Sequence, residues 1–106
     1  MSSAIERITV ERIRQVLEEG FTADHDDLVD VGDLAEAATA YTKYAIMQMG
    51  GWRDIDSVPL NWPWKDEDFK PGMDDEGIVC LTKAGALIAA ELDRVLRKKG
   101  LVYPDE

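Results

Sequence analysis

The sequence predicts an all-α fold, and three observations predict it. They are a serine-led helix start followed by a charged amphipathic run, an alanine-rich stretch bounded by glycines, and a long amphipathic stretch ending in Arg-Lys-Lys-Gly. Ser3-Ala4-Ile5-Glu6 fits a capping box, in which the serine oxygen and the glutamate three residues on satisfy amide hydrogens exposed at a helix start. The spacing predicts a first helix over about 3–19. Ile5, Ile8, Ile13, Val16 and Leu17 form its apolar stripe, Glu6, Arg7, Glu11, Arg12, Arg14, Glu18 and Glu19 cover the rest, and Gly20 supplies a left-handed stop.

Phe21-Thr22-Ala23-Asp24-His25-Asp26-Asp27 reads as a polar connector whose Asp and Thr side chains bond nearby backbone amides. A second helix is expected from Asp33 to about Met49, with Leu34, Ala37, Ala38, Tyr41, Tyr44 and Ala45 on its buried face. Gly50-Gly51 ends it. From there to about Asp74, Pro59, Pro63 and Pro71 break regular structure. Trp52, Leu60, Trp62, Trp64 and Phe69 are too apolar for a solvated linker, so this long loop is expected to pack on the helices.

The last helix is expected over Leu81 to Lys99. Leu81, Ala84, Leu87, Ile88, Leu92, Val95 and Leu96 repeat at helical spacing. Ala84, Gly85, Ala86, Ala89 and Ala90 let another backbone come close, and the alanine face of the second helix is the natural partner. Asp74-Asp75-Glu76 before this helix and Arg97-Lys98-Lys99 at its end both suit the helix dipole.

A chain of 106 residues is expected to form one domain, 1–106, of three main helices with a Trp- and Pro-containing loop between the second and third. The single Cys80 cannot form an intramolecular disulfide and is expected to be a buried thiol. No run of about 18 apolar residues is present, and charges stand where a signal peptide needs an apolar core. The expected location is the cytoplasm, with no membrane partner. A net charge of -10 argues against direct nucleic-acid binding and suits either a solvated surface or an acidic polyanion mimic. The small size and alanine-rich surfaces suggest a homo-oligomer.

Two constellations carry chemistry. Trp62-Pro63-Trp64, with Lys70 and Lys83, combines flat aromatic surfaces with cations, which a nucleobase and a phosphate require. Glu91 and Arg94 on the last helix join this ligand-binding set; alternatively the charges of Lys83, Glu91 and Arg94 form ion pairs with Glu36 or Asp33 across the helix interface. The other constellation is His25 and Asp27 with Glu19 and Glu36, hard ligands suited to magnesium or manganese. All-helical nucleotide pyrophosphohydrolases hold magnesium with carboxylates from facing helices, although their Glu-x-x-Glu spacing is not reproduced here. The structural alternatives are that the tryptophans staple the loop to the helices and that the acidic turn caps them.

Glu-Glu-Gly-Phe-Thr-Ala-Asp-His-Asp-Asp at 18–27 with Gly-Asp-Leu-Ala-Glu-Ala-Ala at 32–38, Trp-Pro-Trp at 62–64 with Lys70-Pro71, and Leu-Thr-Lys-Ala-Gly-Ala-Leu-Ile-Ala-Ala-Glu-Leu-Asp-Arg at 81–94 together resemble a family of small tailed-phage and prophage proteins. The resemblance runs from about Ile5 to Arg97. It implies an accessory phage gene product made in a bacterial cytoplasm, and it brings no catalytic residue. The leading expectation is therefore a protein that binds, without catalysis or a resident cofactor, either a host protein such as a defence component or a small nucleotide-like molecule. The alternatives are the metal-dependent nucleotide hydrolase and the polyanion mimic.

Overall fold

Ser3 caps the first helix in the computed structural model, which describes residues 3–51, 57–72 and 76–101. The Glu6 amide donates to Ser3 Oγ at 3.2 Å and the Ser3 amide donates to Glu6 Oε1 at 2.7 Å, which starts α1 (Ala4–Glu18). The hydrogen bond that the Glu6 carboxylate accepts from the Ser3 amide, with help from the Ser3 side chain, holds that carboxyl below its usual range. A Ser3→Ala variant is expected to lose about 1 kcal/mol of stability, read by urea denaturation.

Among the described residues, four α-helices follow one another: α1, α2 (Ala23–Leu28), α3 (Asp33–Met49) and α4 (Ile78–Lys98), with a 3-10 turn at Asp66–Asp68. No strand occurs among the described residues. The core lies between α3 and α4, where Leu34, Ala37, Ala38, Tyr41, Tyr44 and Ala45 meet Cys80, Ala84, Leu87 and Ala90. All six residues expected on the inner face of the second helix are buried there. Small side chains bring the two helices together. At Gly77, which has φ +71 and opens α4, an added Cβ would stand 2.7 Å from Ala45 Cβ.

Several expectations need correction. The segment read as a polar connector contains α2, capped by Thr22, whose Oγ1 accepts from the His25 amide at 3.3 Å. A six-residue helix is too short to show an apolar period, and its register comes from the cap and from tertiary ion pairs. α4 begins at Ile78 instead of Leu81, because Gly77 turns the chain directly into the helix. Gly85 receives Ile8 of α1 and not the alanine face of α3: an added Cβ there would meet Ile8 Cδ1 at 2.6 Å.

The predicted stripe of α1 is largely solvent-facing. Ile5, Ile13 and Leu17 are exposed, and the one fully buried side chain of the helix is Gln15. On α4, Leu81, Ile88, Leu92 and Val95 are also exposed. Within the loop, Trp62, Trp64 and Phe69 pack against the core as expected, but Leu60 is fully exposed. Trp52, Asp74, Asp75 and the tail from Val102 lie outside the described residues. The Cys80 thiol is buried, as expected, with Sγ 3.0 Å from the Pro71 carbonyl oxygen. No helix among the described residues is long and apolar enough to cross a membrane.

Candidate functional site

Because the inner face of α1 is polar, it does not close against the loop, and a cavity of about 340 Å³ remains beside the core. α1 supplies Glu11, Arg14 and Gln15, with Glu19 just beyond its end. Phe21 and His25 come from the next segment and α2, Tyr41 from α3, Lys83 and Leu87 from α4, and Trp62, Trp64, Asp68 and Lys70 from the loop.

One wall is aromatic. Phe21 and His25 stack with centroids 4.9 Å apart and planes 11° from parallel, and Phe21 meets Trp64 at 6.0 Å. Trp62 stands edge-on to Trp64 at 5.3 Å and edge-on to Tyr41 at 5.3 Å. The Trp62 indole N–H is occupied by the Lys65 carbonyl at 2.8 Å. Trp62 therefore offers a ligand its apolar ring surface and not a hydrogen bond.

The opposite wall is charged. Arg14 makes a fork onto Glu11 with two bonds of 2.8 Å and reaches Glu19 at 3.0 Å, which commits its guanidinium internally. These carboxylate bonds push the Arg14 pKa upward. Gln15 lines the same wall and donates to Glu11 Oε2 at 3.4 Å, an arrangement that orients its amide, since the reverse would set oxygen against carboxylate. Its buried Oε1 has no partner among the described residues.

Lys83 differs from Arg14. Its Nζ donates to the Lys70 carbonyl at 2.6 Å and sits 5.7 Å from the centre of the Tyr41 ring. No carboxylate lies within ion-pair distance of it among the described residues. Burial pushes the Lys83 pKa down, against the upward pull of Glu11 and Glu19. The Lys70 amide in turn donates to the Tyr41 hydroxyl at 3.0 Å, so loop and helices are tied at the lysine. Burial pushes the Tyr41 hydroxyl up to about 12, which keeps it neutral.

The histidine is held from behind. Its Nδ1 is 2.9 Å from Asp26 Oδ1, while Asp26 Oδ2 accepts from Arg12 Nη2 at 2.9 Å, and Arg12 Nη1 also bonds the Phe21 carbonyl at 3.1 Å. Asp26 is wholly buried. With Nδ1 engaged, Nε2 is the ring nitrogen left for a ligand.

Of the residues singled out from the sequence, Trp62, Trp64, Lys70 and Lys83 come together around the cavity. Glu91 and Arg94 are not in its lining. They pair with each other along α4 instead of with Asp33 or Glu36, because residues three apart on a helix are neighbours. The hard-ligand set is likewise dispersed: Glu19 goes to Arg14, Asp27 to Arg97 at 2.8 Å, His25 to Asp26, and Glu36 is exposed on α3. The Arg97 bond holds the Asp27 carboxyl below its usual range. Among the described residues, no group of three or more His, Cys, Asp or Glu side chains could hold a metal ion.

Glu11, Arg14, Gln15, Phe21, Tyr41 and Asp68 were not among the residues expected at a site. The available signal was the polar interruption of the α1 stripe, a glutamine and two charges at positions that face inward once Ile8 docks on Gly85. Compared with protein-family models, curated proteins and solved structures, the chain gives no match.

Proposed function

We propose that the chain acts by binding, without catalysis, and that it takes one small nucleotide-like ligand in the cavity under the Trp62–Trp64 loop. The observation that carries this reading is the convergence of Trp62, Trp64, Lys70 and Lys83 on one cavity of about 340 Å³. That volume falls within the range of small-molecule sites, roughly 300 to 1,000 Å³. The indole surfaces suit a planar base, Lys83 and Lys70 suit its phosphate, and the acceptor-rich α1 wall suits ring or amino N–H groups.

The resemblance to small phage and prophage proteins supports a setting in which such a protein serves as an accessory gene product in a bacterial cytoplasm. Withholding a nucleotide from a host enzyme is a role that needs no chemistry of its own. The hydrolase reading is less favoured, since Glu19 and Asp27 are paired with arginines. A polyanion mimic is less favoured too, because arginine partners offset the charge of Glu11, Asp26 and Glu91 as well.

Titration of intrinsic tryptophan fluorescence with nucleoside monophosphates and cyclic nucleotides tests the proposal. A saturable change is expected in the parent, and Trp64→Ala is expected to lose most of it. A parent that shows no response to any of these probes would count against the cavity as a nucleotide site. In parallel, nucleoside triphosphates are expected to survive incubation with the protein and magnesium or manganese; their hydrolysis would favour the enzyme.

A further inference from the structure

α4 has a flank that the rest of the chain leaves uncovered. Leu81, Ile88, Leu92 and Val95 lie on one side of the helix and are 41%, 52%, 56% and 38% exposed. α1 borders this flank: Ile8 sits on Gly85, whose helical neighbours one turn away include Leu81 and Ile88. Ile5, one turn before Ile8, is 73% exposed and extends the apolar surface onto α1.

We propose that this flank is an interface between two copies of the chain, related by a two-fold axis that passes beside Ile88 with the two α4 helices antiparallel. The spacing is self-complementary. Leu81 and Val95 each stand two turns from Ile88, on opposite sides, so the axis sets Ile88 against Ile88 and Leu81 against Val95 of the other copy. An isologous contact requires this kind of symmetry, whereas an unrelated partner does not.

The charges at the helix ends agree with the same occupant. Lys98 and Lys99 close α4 and Glu76 precedes it, while Arg97 faces the other side of the helix and holds Asp27. Antiparallel pairing about Ile88 brings Lys98 and Lys99 of each copy towards Glu76 of the other, and it also opposes the two helix dipoles. At the edge of the flank, Glu91, one turn from Ile88 and Val95, is paired with Arg94. The five apolar side chains expose on the order of 450 Å², about the apolar area that one side of a standard-size contact contains.

Sedimentation equilibrium of the full chain at 10–100 µM, a range chosen to span roughly micromolar affinities, is expected to give a dimer in about 0.15 M salt. Ile88→Glu places two acids face to face on the axis and is expected to weaken the dimer at least tenfold, with helical circular dichroism unchanged because Ile88 supports no core contact. Ile88→Cys is expected to join to its mate through a short bifunctional maleimide, with Cys80 protected by burial and Thr39→Cys, exposed on α3, as the unreactive control. A monomeric parent overturns the proposal. So does a dimer that survives Ile88→Glu, or one in which Ile88→Cys does not cross-link, since either would place the contact elsewhere.

Discussion

A Lys83→Met variant is expected to bind a nucleoside monophosphate roughly 10- to 100-fold more weakly than the parent, the worth of a charge-assisted contact to phosphate. It is also expected to melt no earlier. The two results together separate a ligand-binding lysine from a structural one. Lys83 Nζ spends one bond on the Lys70 carbonyl and has no carboxylate partner among the described residues, so the folded chain gains little from its charge. Burial lowers its pKa from the ordinary 10.5.

The sign of the pH dependence follows from that shift. Between the lowered folded value and 10.5, the unfolded chain holds a proton that the folded chain has released, so Lys83 makes stability rise with pH across that window. A bound anion favours the ammonium form, so affinity is expected to fall as pH rises through the same window, earlier than for an ordinary lysine. Calorimetric titration of parent and variant from pH 7 to pH 10, chosen to reach towards the ordinary lysine range, checks both statements. Equal affinity in the two proteins would remove Lys83 from the site.

Asp26→Ala is expected to cost about 3 kcal/mol of stability, the low end for removing one member of a buried ion pair. Asp26 has no exposed surface and holds both Arg12 of α1 and His25 of its own helix. Without it, the Arg12 guanidinium keeps only the Phe21 carbonyl and stays largely buried. A loss of that size would lower the melting temperature by roughly 10–20 °C for a domain of this length. The double variant Arg12→Met, Asp26→Leu is expected to recover most of the loss, since a neutral apolar pair removes the stranded charge. Urea denaturation of the three proteins measures it. A cost below about 1 kcal/mol for Asp26→Ala would show that α2 is held by other contacts.

Much of the fold is legible because local signals coincide with tertiary ones. The capping box at Ser3, the alanine-rich face of α3 and the basic end of α4 all state their positions without reference to the rest of the chain. α2 was not legible, because six residues carry no period and their order depends on Arg12 and Arg97 from distant segments. Much of the apolar stripe of α1 and part of that of α4 face outward for a related reason, while Ala84 and Leu87 of α4 are buried as expected. Periodicity shows that a face is apolar, but it does not say whether that face meets its own core or the surface.

The candidate site divides along the same line. Aromatic and cationic character in the loop and at Lys83 can be read directly from residue types, since stacking and charge are properties of single side chains. The contribution of α1 cannot. Glu11, Arg14 and Gln15 look like the solvated side of an amphipathic helix until Ile8 docks on Gly85 and turns them inward.

The sequence by itself thus determined an acidic, all-α chain with capped helices and a tryptophan loop that must be anchored, because capping, helical period and burial of indoles are local energies. Only the tertiary structure decided which arginines neutralise which carboxylates, which side of α4 stays bare, and that a cavity opens beneath Trp62 and Trp64. Those outcomes depend on the angle at which helices distant in the chain come to rest, set by side chains as small as Gly77 and Gly85.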